Sequence, residues 1–267
     1  MTAVAALVVV PAALPRNGTA SRVVRFVNVP AGAAKTATLS CAAGSVAASA
    51  GVQSAGMTRT LAIRPSGART VAIRLSNSGA NRRQRTSVSV SCLRLPSGAG
   101  APHFEARQIH SNRLAVPAGG QRQASLGCPS GTLAAGAGFD FSGAPLELRR
   151  STRTLNRFSF TVRNDGSRAR SAVLYGTCLT LIRPSGSRHV SLRERVITTT
   201  SPLPPGDQTV SQACPSGWFG LATGYSLPAS ATVSGSVALP AGGRWTLTNG
   251  LTKPLLADLQ LACGRVA

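Results

Sequence analysis

The chain is built from short stretches in which apolar and polar residues alternate with a period of two. Clear examples are Val71-Ala-Ile-Arg-Leu75, Val88-Ser-Val-Ser-Cys92 and Phe158-Ser-Phe-Thr-Val162. Such alternation is typical of a β-strand with one buried and one solvated face, and no stretch shows the apolar period of an amphipathic helix. Glycine- and proline-containing turns separate the stretches. The pattern predicts an all-β chain made of antiparallel β-sandwiches.

Six cysteines recur at a nearly fixed spacing. Their successive pairs are separated by 51, 50 and 49 residues: Cys41 and Cys92, Cys128 and Cys178, Cys214 and Cys263. A fixed period with a fixed internal pair indicates one domain type written three times. Six cysteines allow 15 pairings, and only the pairing of these neighbours keeps every bond inside one copy at equal loop length. Each disulfide would close a loop of about 50 residues and stabilise the fold by roughly 3–4 kcal/mol in the chain-entropy model.

Other landmarks recur with the cysteines. Small residues follow each first cysteine, in Cys41-Ala-Ala-Gly44, Cys128-Pro-Ser-Gly131 and Cys214-Pro-Ser-Gly217. An asparagine ends an alternating stretch 36, 36 and 35 residues after the first cysteine of each copy: Asn77, Asn164 and Asn249. The glycine that follows each asparagine within two residues is typical of tight turns, so we expect a β-hairpin at each.

These landmarks divide the chain into segments. We expect sandwich repeats at residues 29–95, 116–181 and 203–267, joined by connecting strands or linkers at 96–115 and 182–202. Residues 1–28 are interpreted as the closing strand and linker of an incomplete repeat, because the spacing from Pro11 to Pro30 nearly matches the spacing of prolines in the later linkers. The alternative is a degenerate secretory signal in the apolar stretch from residue 3 to 15, which is too short to be a transmembrane helix.

The chain is strongly basic, with 29 basic and 7 acidic residues and a net charge of +22. Residues 1–100 contain 12 basic and no acidic residues, residues 101–200 contain 14 and 5, and residues 201–267 contain 3 and 2. This uneven charge suggests that the first two copies contact a polyanion such as an anionic glycan or lipopolysaccharide. The candidate contact residues are Arg64, Arg69, Arg74, Arg82, Arg83, Arg85, Arg149, Arg150, Arg153, Arg157, Arg168 and Arg170.

Two alternatives to a polyanion contact follow from the composition. A coding bias toward arginine would place these side chains on solvated faces, although such a bias does not explain the missing acidic residues of the first hundred positions. A dedicated nucleic-acid module is disfavoured, because no stacking aromatic residues are interleaved with the arginines and no recognition motif is present.

No catalytic or metal-binding pattern is present in the sequence. None of the seven acidic residues recurs at equivalent positions in all copies, and no Gly-x-Ser-x-Gly or Cys-x-x-Cys motif is found. The three histidines, His103, His110 and His189, have no nucleophile or ligand partner at a suitable spacing. We therefore expect no enzymatic activity, no cofactor and no metal site. Six free buried thiols are the alternative to the three disulfides.

The order of these motifs resembles a family of tandem repeats. The succession of Cys-Pro-Ser-Gly, a small glycine-rich strand, Phe160-Thr-Val-Arg-Asn-Asp-Gly166 and a closing strand with a cysteine resembles repeats in exported proteins of high-GC bacteria that carry Cys-Pro-Ala-Gly segments. The likeness is clearest over residues 126–181 and 212–263, and the first copy departs from it at Ala42-Ala-Gly44. The resemblance implies an immunoglobulin-like extracellular or envelope module.

The sequence therefore predicts a non-enzymatic, exported array of three disulfide-closed sandwiches that serves as a spacer, an envelope component or an adhesive module at the cell surface. Disulfides imply an exported location. One alternative is a polyanion-binding surface protein that uses its first two copies. The other is a decoration component of a phage virion or tail.

Overall fold

The computed structural model describes residues 8–13, 19–54, 58–78, 81–95, 103–142, 145–182 and 191–266. These residues form strands and turns without a helix, as the period-two alternation predicts. The N-terminal strand is β1 (Val8–Ala13). The strands of the first copy are β2 (Thr19–Val29), β3 (Ala34–Ser40), β4 (Val46–Ser54), β5 (Arg59–Gly67), β6 (Thr70–Ser76) and β7 (Gln84–Arg94).

The second and third copies follow the same order of strands, with the short β9 as an additional strand in the second. The strands of the second copy are β8 (His103–His110), β9 (Leu114–Val116), β10 (Gln121–Gly127), β11 (Leu133–Asp140), β12 (Leu146–Thr154), β13 (Arg157–Asn164) and β14 (Arg170–Ile182). The strands of the third copy are β15 (Leu192–Leu203), β16 (Gly206–Ala213), β17 (Phe219–Ser226), β18 (Ala231–Leu239), β19 (Gly242–Asn249) and β20 (Leu255–Val266).

Each copy contributes two half-sheets of three main strands. In the first copy, β2, β7 and β4 form what we call the closing half-sheet, because β7 carries the second cysteine, and β3, β6 and β5 form the opposing half-sheet. The closing half-sheets of the later copies are β8-β14-β11 and β15-β20-β17, and their opposing half-sheets are β10-β13-β12 and β16-β19-β18. Apolar side chains of both half-sheets fill the space between them, as in a β-sandwich.

The three predicted disulfides are confirmed. Cys41–Cys92, Cys128–Cys178 and Cys214–Cys263 join the two half-sheets of each copy, with Cα–Cα distances of 5.6, 5.7 and 5.7 Å. A four-residue turn follows each first cysteine, and its third position has a positive φ of 74°, 77° and 75° in the three copies. Glycine occupies this position each time, because other residues rarely adopt that conformation. The positions are Gly44, Gly131 and Gly217.

The sheets run through the boundaries between copies. The closing half-sheet of one copy continues into the opposing half-sheet of another through the strand pairs β4 with β18, β11 with β5 and β17 with β12. Every sheet therefore contains strands from two copies, and the three copies follow one another around a closed ring. This arrangement removes the free strand edges that a row of separate sandwiches would expose at these boundaries.

A glycine marks each of these junctions. Gly51, Gly138 and Gly224 all lie ten residues after the first cysteine of their copy. A Cβ atom at these positions would come to 2.5 Å or less from the carbonyl oxygens of Ser236, Ile63 and Ser151. These oxygens belong to the neighbouring copy, so the absence of a side chain allows the two backbones to approach. The sequence indicated only a small-residue strand here.

The closing half-sheets also meet around the centre of the ring. Their second faces share a buried cluster with members from all three copies, including Leu93, Leu179 and Ala262. Each copy adds a β-bulge seven residues after its first cysteine, at the register shifts around Ala48, Ala135 and Leu221. The three bulge residues are at most 1% exposed and belong to this cluster, which therefore joins the copies through their cores.

The hairpins predicted at the three asparagines are wrong. The strands before and after each asparagine belong to different half-sheets of the copy: β6 and β7, β13 and β14, β19 and β20. The connection therefore crosses from one sheet to the other, and we call it an arch. None of the three asparagines has the positive φ of a tight-turn tip, and each is buried inside its arch.

The N-terminal segment and the linkers contain strands of the sheets. β1 pairs with β2 as an edge strand, while β2, β8 and β15 each pair with the closing strand of their own copy. The first strands of the copies thus begin before residues 29, 116 and 203, inside the segments that the sequence assigned to connecting strands or linkers. Residues 1–7 and 14–18 lie outside the described residues, and the choice between an incomplete repeat and a signal stays a prediction.

Candidate polyanion-binding surface

The buried asparagines hold the arches in place. The Asn77 side-chain amide donates to the carbonyl oxygens of Val29, Pro30 and Arg82 at 3.0, 3.2 and 2.9 Å. Asn164 makes the matching bonds, and Arg168 is its acceptor in the arch at 2.9 Å. The arch between strands is thereby fastened to the proline turn that precedes each opposing half-sheet.

The same position of each arch carries a basic residue. The carbonyl groups that accept from Asn77, Asn164 and Asn249 inside the arches belong to Arg82, Arg168 and Lys253. All three basic side chains are exposed. Because the strands of all copies run in matching directions around the ring, the three arches lie at one end of the molecule, which we call the arch end. Arg82, Arg168 and Lys253 form what we call the arch triad.

Ten of the twelve candidate arginines are exposed. Five of them lie in or beside the arches of the first two copies: Arg82, Arg83, Arg85, Arg168 and Arg170. The other five lie on strands or at the opposite end of the molecule: Arg64, Arg69, Arg74, Arg150 and Arg157. The structure thus brings half of the exposed candidates together at the arch end, with Lys253 of the third copy as an addition that the sequence reasoning did not include.

The other two candidates are buried and do not belong to a binding surface. Arg149, 9% exposed, donates to the carbonyl oxygens of Pro228 and Ala231 in the third copy and pairs with Glu147 at 3.0 Å. Arg153, 6% exposed, pairs with Glu194 of the third copy and donates to the Ala135 carbonyl at 2.9 Å. Burial lowers the pKa of Arg153 to about 9. Both arginines join copies, which their sequence context did not indicate.

The few acidic side chains are largely engaged inside the molecule. Arg64, Arg149, Arg153 and Arg163 pair with Asp140, Glu147, Glu194 and Asp165. Asp207 and Asp258 accept from Thr248 and Thr200. Among the described residues, nine of the ten exposed candidates therefore have no carboxylate within salt-bridge distance, and Arg64 is the exception. The positive charge is left available to an external anion.

One exposed aromatic ring accompanies the arginines. The Arg85 guanidinium lies over the ring of Phe26, 4.2 Å from its centroid, and Phe26 is 44% exposed. The two residues lie on the paired strands β2 and β7, near the first arch. Their separation of 59 positions in the chain hid this contact from the sequence reasoning. The stack holds a cation at the surface by a cation–π contact.

A cavity of about 500 Å³ lies between the three sheets toward the arch end. Equivalent residues of the three copies line it, namely Val52, Phe139 and Tyr225, eleven residues after each first cysteine. Its polar lining includes Arg59, Glu147 and Asp165. Burial raises the pKa of the Glu147 carboxyl, and the nearby Arg149 opposes that rise. The cavity marks the centre of the ring on the side of the arches.

The described residues contain neither a cluster of metal ligands nor a helix suited to span a membrane. Within them, no three histidine, cysteine or carboxylate side chains lie close enough together to hold a metal ion. His103 and His110 lie at the two ends of β8, and His189 lies outside the described residues. The described part of the chain also contains no helix that is long and apolar enough to span a membrane.

Comparisons with known proteins give a likeness in structure and none in sequence. No protein-family model matches the chain, and no curated protein matches it in sequence. Among solved structures, it is similar to one described as "The Triple Jelly Roll Fold and Turret Assembly in an Archaeal Virus". The identity is 10% and the TM-score 0.24, over 98% of this chain and 89% of that chain. A likeness at this level assigns no function.

Proposed function

We propose that the protein is a non-enzymatic structural module of an extracellular or envelope surface, in which three immunoglobulin-like repeats act as one rigid body. The observation that carries this proposal is the sharing of every sheet by two copies. Separate sandwiches on a string would form a flexible spacer, whereas copies joined by strand pairing and a common buried cluster have fixed relative positions.

The disulfides support a location outside the reducing cytoplasm. Each copy carries one, and such bonds form and persist in oxidising compartments. The resemblance of the sequence to exported bacterial repeats favours the same location. The proposal covers a cell envelope and a virion surface equally, because both would use a compact and protease-resistant body.

Antibodies raised against the folded protein can test the location. Applied to intact cells or purified particles of the source, they should label the outer surface, and alkylation before lysis should find all six cysteines oxidised. A chain confined to the cytoplasm with alkylatable thiols would overturn the proposal. Limited proteolysis adds a test of rigidity, since cleavage should stay within loops and should not release single copies.

A second candidate function is supported by the arch end. We propose that the arch triad and the neighbouring Arg83, Arg85 and Arg170 bind a polyanion such as an anionic glycan or lipopolysaccharide. The supporting observation is that a basic residue occupies the same asparagine-fastened position in all three copies, without a carboxylate partner among the described residues. Binding by counterion release should weaken by about 10³-fold or more between 50 and 200 mM salt if six anionic groups are engaged.

Variants of the full chain test this second function, because fragments would split the shared sheets. Replacing the arch triad, as R82Q/R168Q/K253Q, should lower the salt dependence of heparin binding by about one ion per residue. The matched control R69Q/R157Q/R265Q removes three exposed charges that lie away from the arches. An equal decrease in the salt dependence of heparin binding in both triple variants would show that binding follows net charge alone. The arch end would then be excluded as a specific site.

A further inference from the structure

Two arginines of different copies converge on one seam of the ring. Arg22 lies on β2 of the first copy and Arg244 on β19 of the third copy, and both strands belong to the sheet that joins these copies. Both side chains are partly buried. Neither arginine was singled out by the sequence, because 222 positions separate them.

Strand register and one hydrogen bond place the two arginines beside each other. Arg22 pairs with Ser91, and Ser91 pairs with Ser49, so these three residues form a row across β2, β7 and β4. The Ser91 hydroxyl donates to the carbonyl oxygen of Ala238 at 3.4 Å, which brings β7 against β18. The residue before Ala238 on β18 pairs with Arg244. Arg22 and Arg244 therefore lie on the strands that flank the Ser91–Ala238 contact, one on each side.

Three polar atoms of this seam have no hydrogen-bond partner within the described chain. The Nε atoms of Arg22 and Arg244 and the hydroxyl of Ser49 are all buried without a hydrogen bond to any described residue. No ion pair of the described residues includes either arginine. Burial, and secondarily the charge of Arg244, lower the pKa of Arg22. Two like charges are thus held together in a partly desolvated seam.

An anion would complete this arrangement. Buried polar groups are nearly always hydrogen-bonded, and partly buried charges are normally paired. Guanidinium groups match the oxygens of phosphate and sulfate, to which each can donate two hydrogen bonds. We propose that the seam between the first and third copies binds one tetrahedral oxyanion, held by Arg22 and Arg244 and by the hydroxyl of Ser49.

The other two seams provide an internal comparison. The positions equivalent to Arg22 are Gln108 and Val196, which pair with the residue before the second cysteine of their copies. The positions equivalent to Arg244, five residues before the asparagine in the first copy and the second, are Ala72 and Ser159. Neither seam brings two cations together, so the chain should bind one anion and not three.

The test uses the full-length oxidised protein with inorganic sulfate and phosphate. Melting temperatures are measured against each anion, with sodium chloride adjusted to hold the ionic strength constant, and calorimetry gives the stoichiometry. We expect saturable stabilisation of the wild type by one anion per chain. R22Q and R244S, which introduce the residues of other seams, should weaken this binding at least tenfold, whereas the exposed-site control R157Q should leave it unchanged.

The stability of R22Q in chloride distinguishes anion binding from a purely structural role of Arg22. In chloride alone, R22Q should be at least as stable as the wild type, because it relieves the repulsion between the two guanidinium groups. Loss of stability in chloride with retained sulfate binding would overturn the proposal, and so would the absence of saturable stabilisation in the wild type. A sulfated monosaccharide in place of inorganic sulfate distinguishes the source: equal affinity indicates a group carried on a glycan, and no binding indicates a free ion.

This site is independent of the arch end. The variant R82Q/R168Q/K253Q should keep the saturable sulfate effect, since its three residues lie in the arches and not in the seam. Loss of the sulfate effect in that variant would contradict the assignment to Arg22 and Arg244. If the wild type fails to bind heparin but still binds sulfate, polyanion binding at the arch end is excluded and the seam site is retained.

Discussion

Arg153 of the second copy forms a buried ion pair with Glu194 of the third copy. The Arg153 side chain is 5% exposed and that of Glu194 is 0% exposed. The positions that correspond to Glu194 in the other copies are Ala20 and Ala106, which pair with the residue after the second cysteine. This junction thus holds a buried ion pair at a position where its two counterparts have alanine, whereas the junction between the first and second copies is bridged by Arg64 and Asp140, of which the Arg64 side chain is 49% exposed.

Removing one member of this pair should destabilise the fold strongly. The substitution Glu194→Gln leaves a buried guanidinium without its counter-charge, which should cost about 3–5 kcal/mol in the free energy of unfolding. Guanidinium chloride titration with intact disulfides measures this change. The double variant Arg153→Met/Glu194→Ala should be closer to the wild type. For comparison, Arg163→Gln breaks a pair with 37% and 50% exposed side chains and should cost less than about 1 kcal/mol. A decrease of less than about 1 kcal/mol in the free energy of unfolding of Glu194→Gln would show that the buried pair does not stabilise the fold in this way.

The junction glycines should not tolerate a side chain. In Gly138→Ala the new methyl group would meet the carbonyl oxygen of Ile63, a backbone atom that cannot move without shifting β5. Overpacking of this kind costs roughly 1–3 kcal/mol. Gly127→Ala is the matched control, because a Cβ there has no heavy atom within 4 Å. Thermal or chemical unfolding compares the two. Equal stability of both variants would show that the copies do not approach as closely at the junction as described.

The asparagine that fastens an arch should protect that arch from proteolysis. Asn77→Ala leaves three carbonyl groups without their shared donor and should cost about 1–3 kcal/mol. Trypsin cleaves after arginine, and Arg82, Arg83 and Arg85 lie directly beyond this asparagine, so native-state cleavage there should become faster. Asn156→Ala, in an exposed turn, serves as the control. Unchanged cleavage rates in Asn77→Ala would contradict the fastening role.

Ionisation of Glu147 should make the free energy of unfolding fall as the pH rises. Burial raises the pKa of its carboxyl above 4.5, so the folded protein holds this proton to a higher pH than the unfolded chain does. Its contribution to stability is therefore fully present below pH 4.5 and is lost as the pH rises through the folded-state pKa. Glu147→Gln should remove this step from melting curves recorded between about pH 4 and 7. Glu105→Gln, at a 62% exposed side chain, should keep it.

The sequence predicted the strands and the disulfides well because both leave local or periodic traces. Alternation in β6 and β13 reflects one buried face, and the near-equal loops between cysteines reflect one fold. The asparagine turns misled the prediction, since a strand followed by Asn-Ser-Gly79 does not say whether the next strand pairs beside it or crosses to another sheet. Burial of Asn77 depends on Val29 and Pro30, 48 and 47 residues away.

The exposure of the candidate arginines was predicted only in part, for a similar reason. Arginine is usually exposed, so Arg149 and Arg153 were counted as surface residues with the other ten. Their acceptors and the partner of Arg153 lie in the next copy, and sequence spacing carries no information about which copies share a sheet. For the same reason, the proximity of Arg22 and Arg244 could not be predicted from the sequence, because it depends on the pairing of β4 with β18.

The pairing of strands across copies determines how many copies one ring can contain. A single copy on its own would expose two unpaired edges, formed by β4 and β5 in the first copy and by their counterparts in the others. Each edge is complementary to the other type, so isolated copies would be expected to associate head to tail until the circle closed. The chain therefore resembles a cyclic trimer whose three units are joined covalently. The covalent connection fixes the order of the copies in the ring.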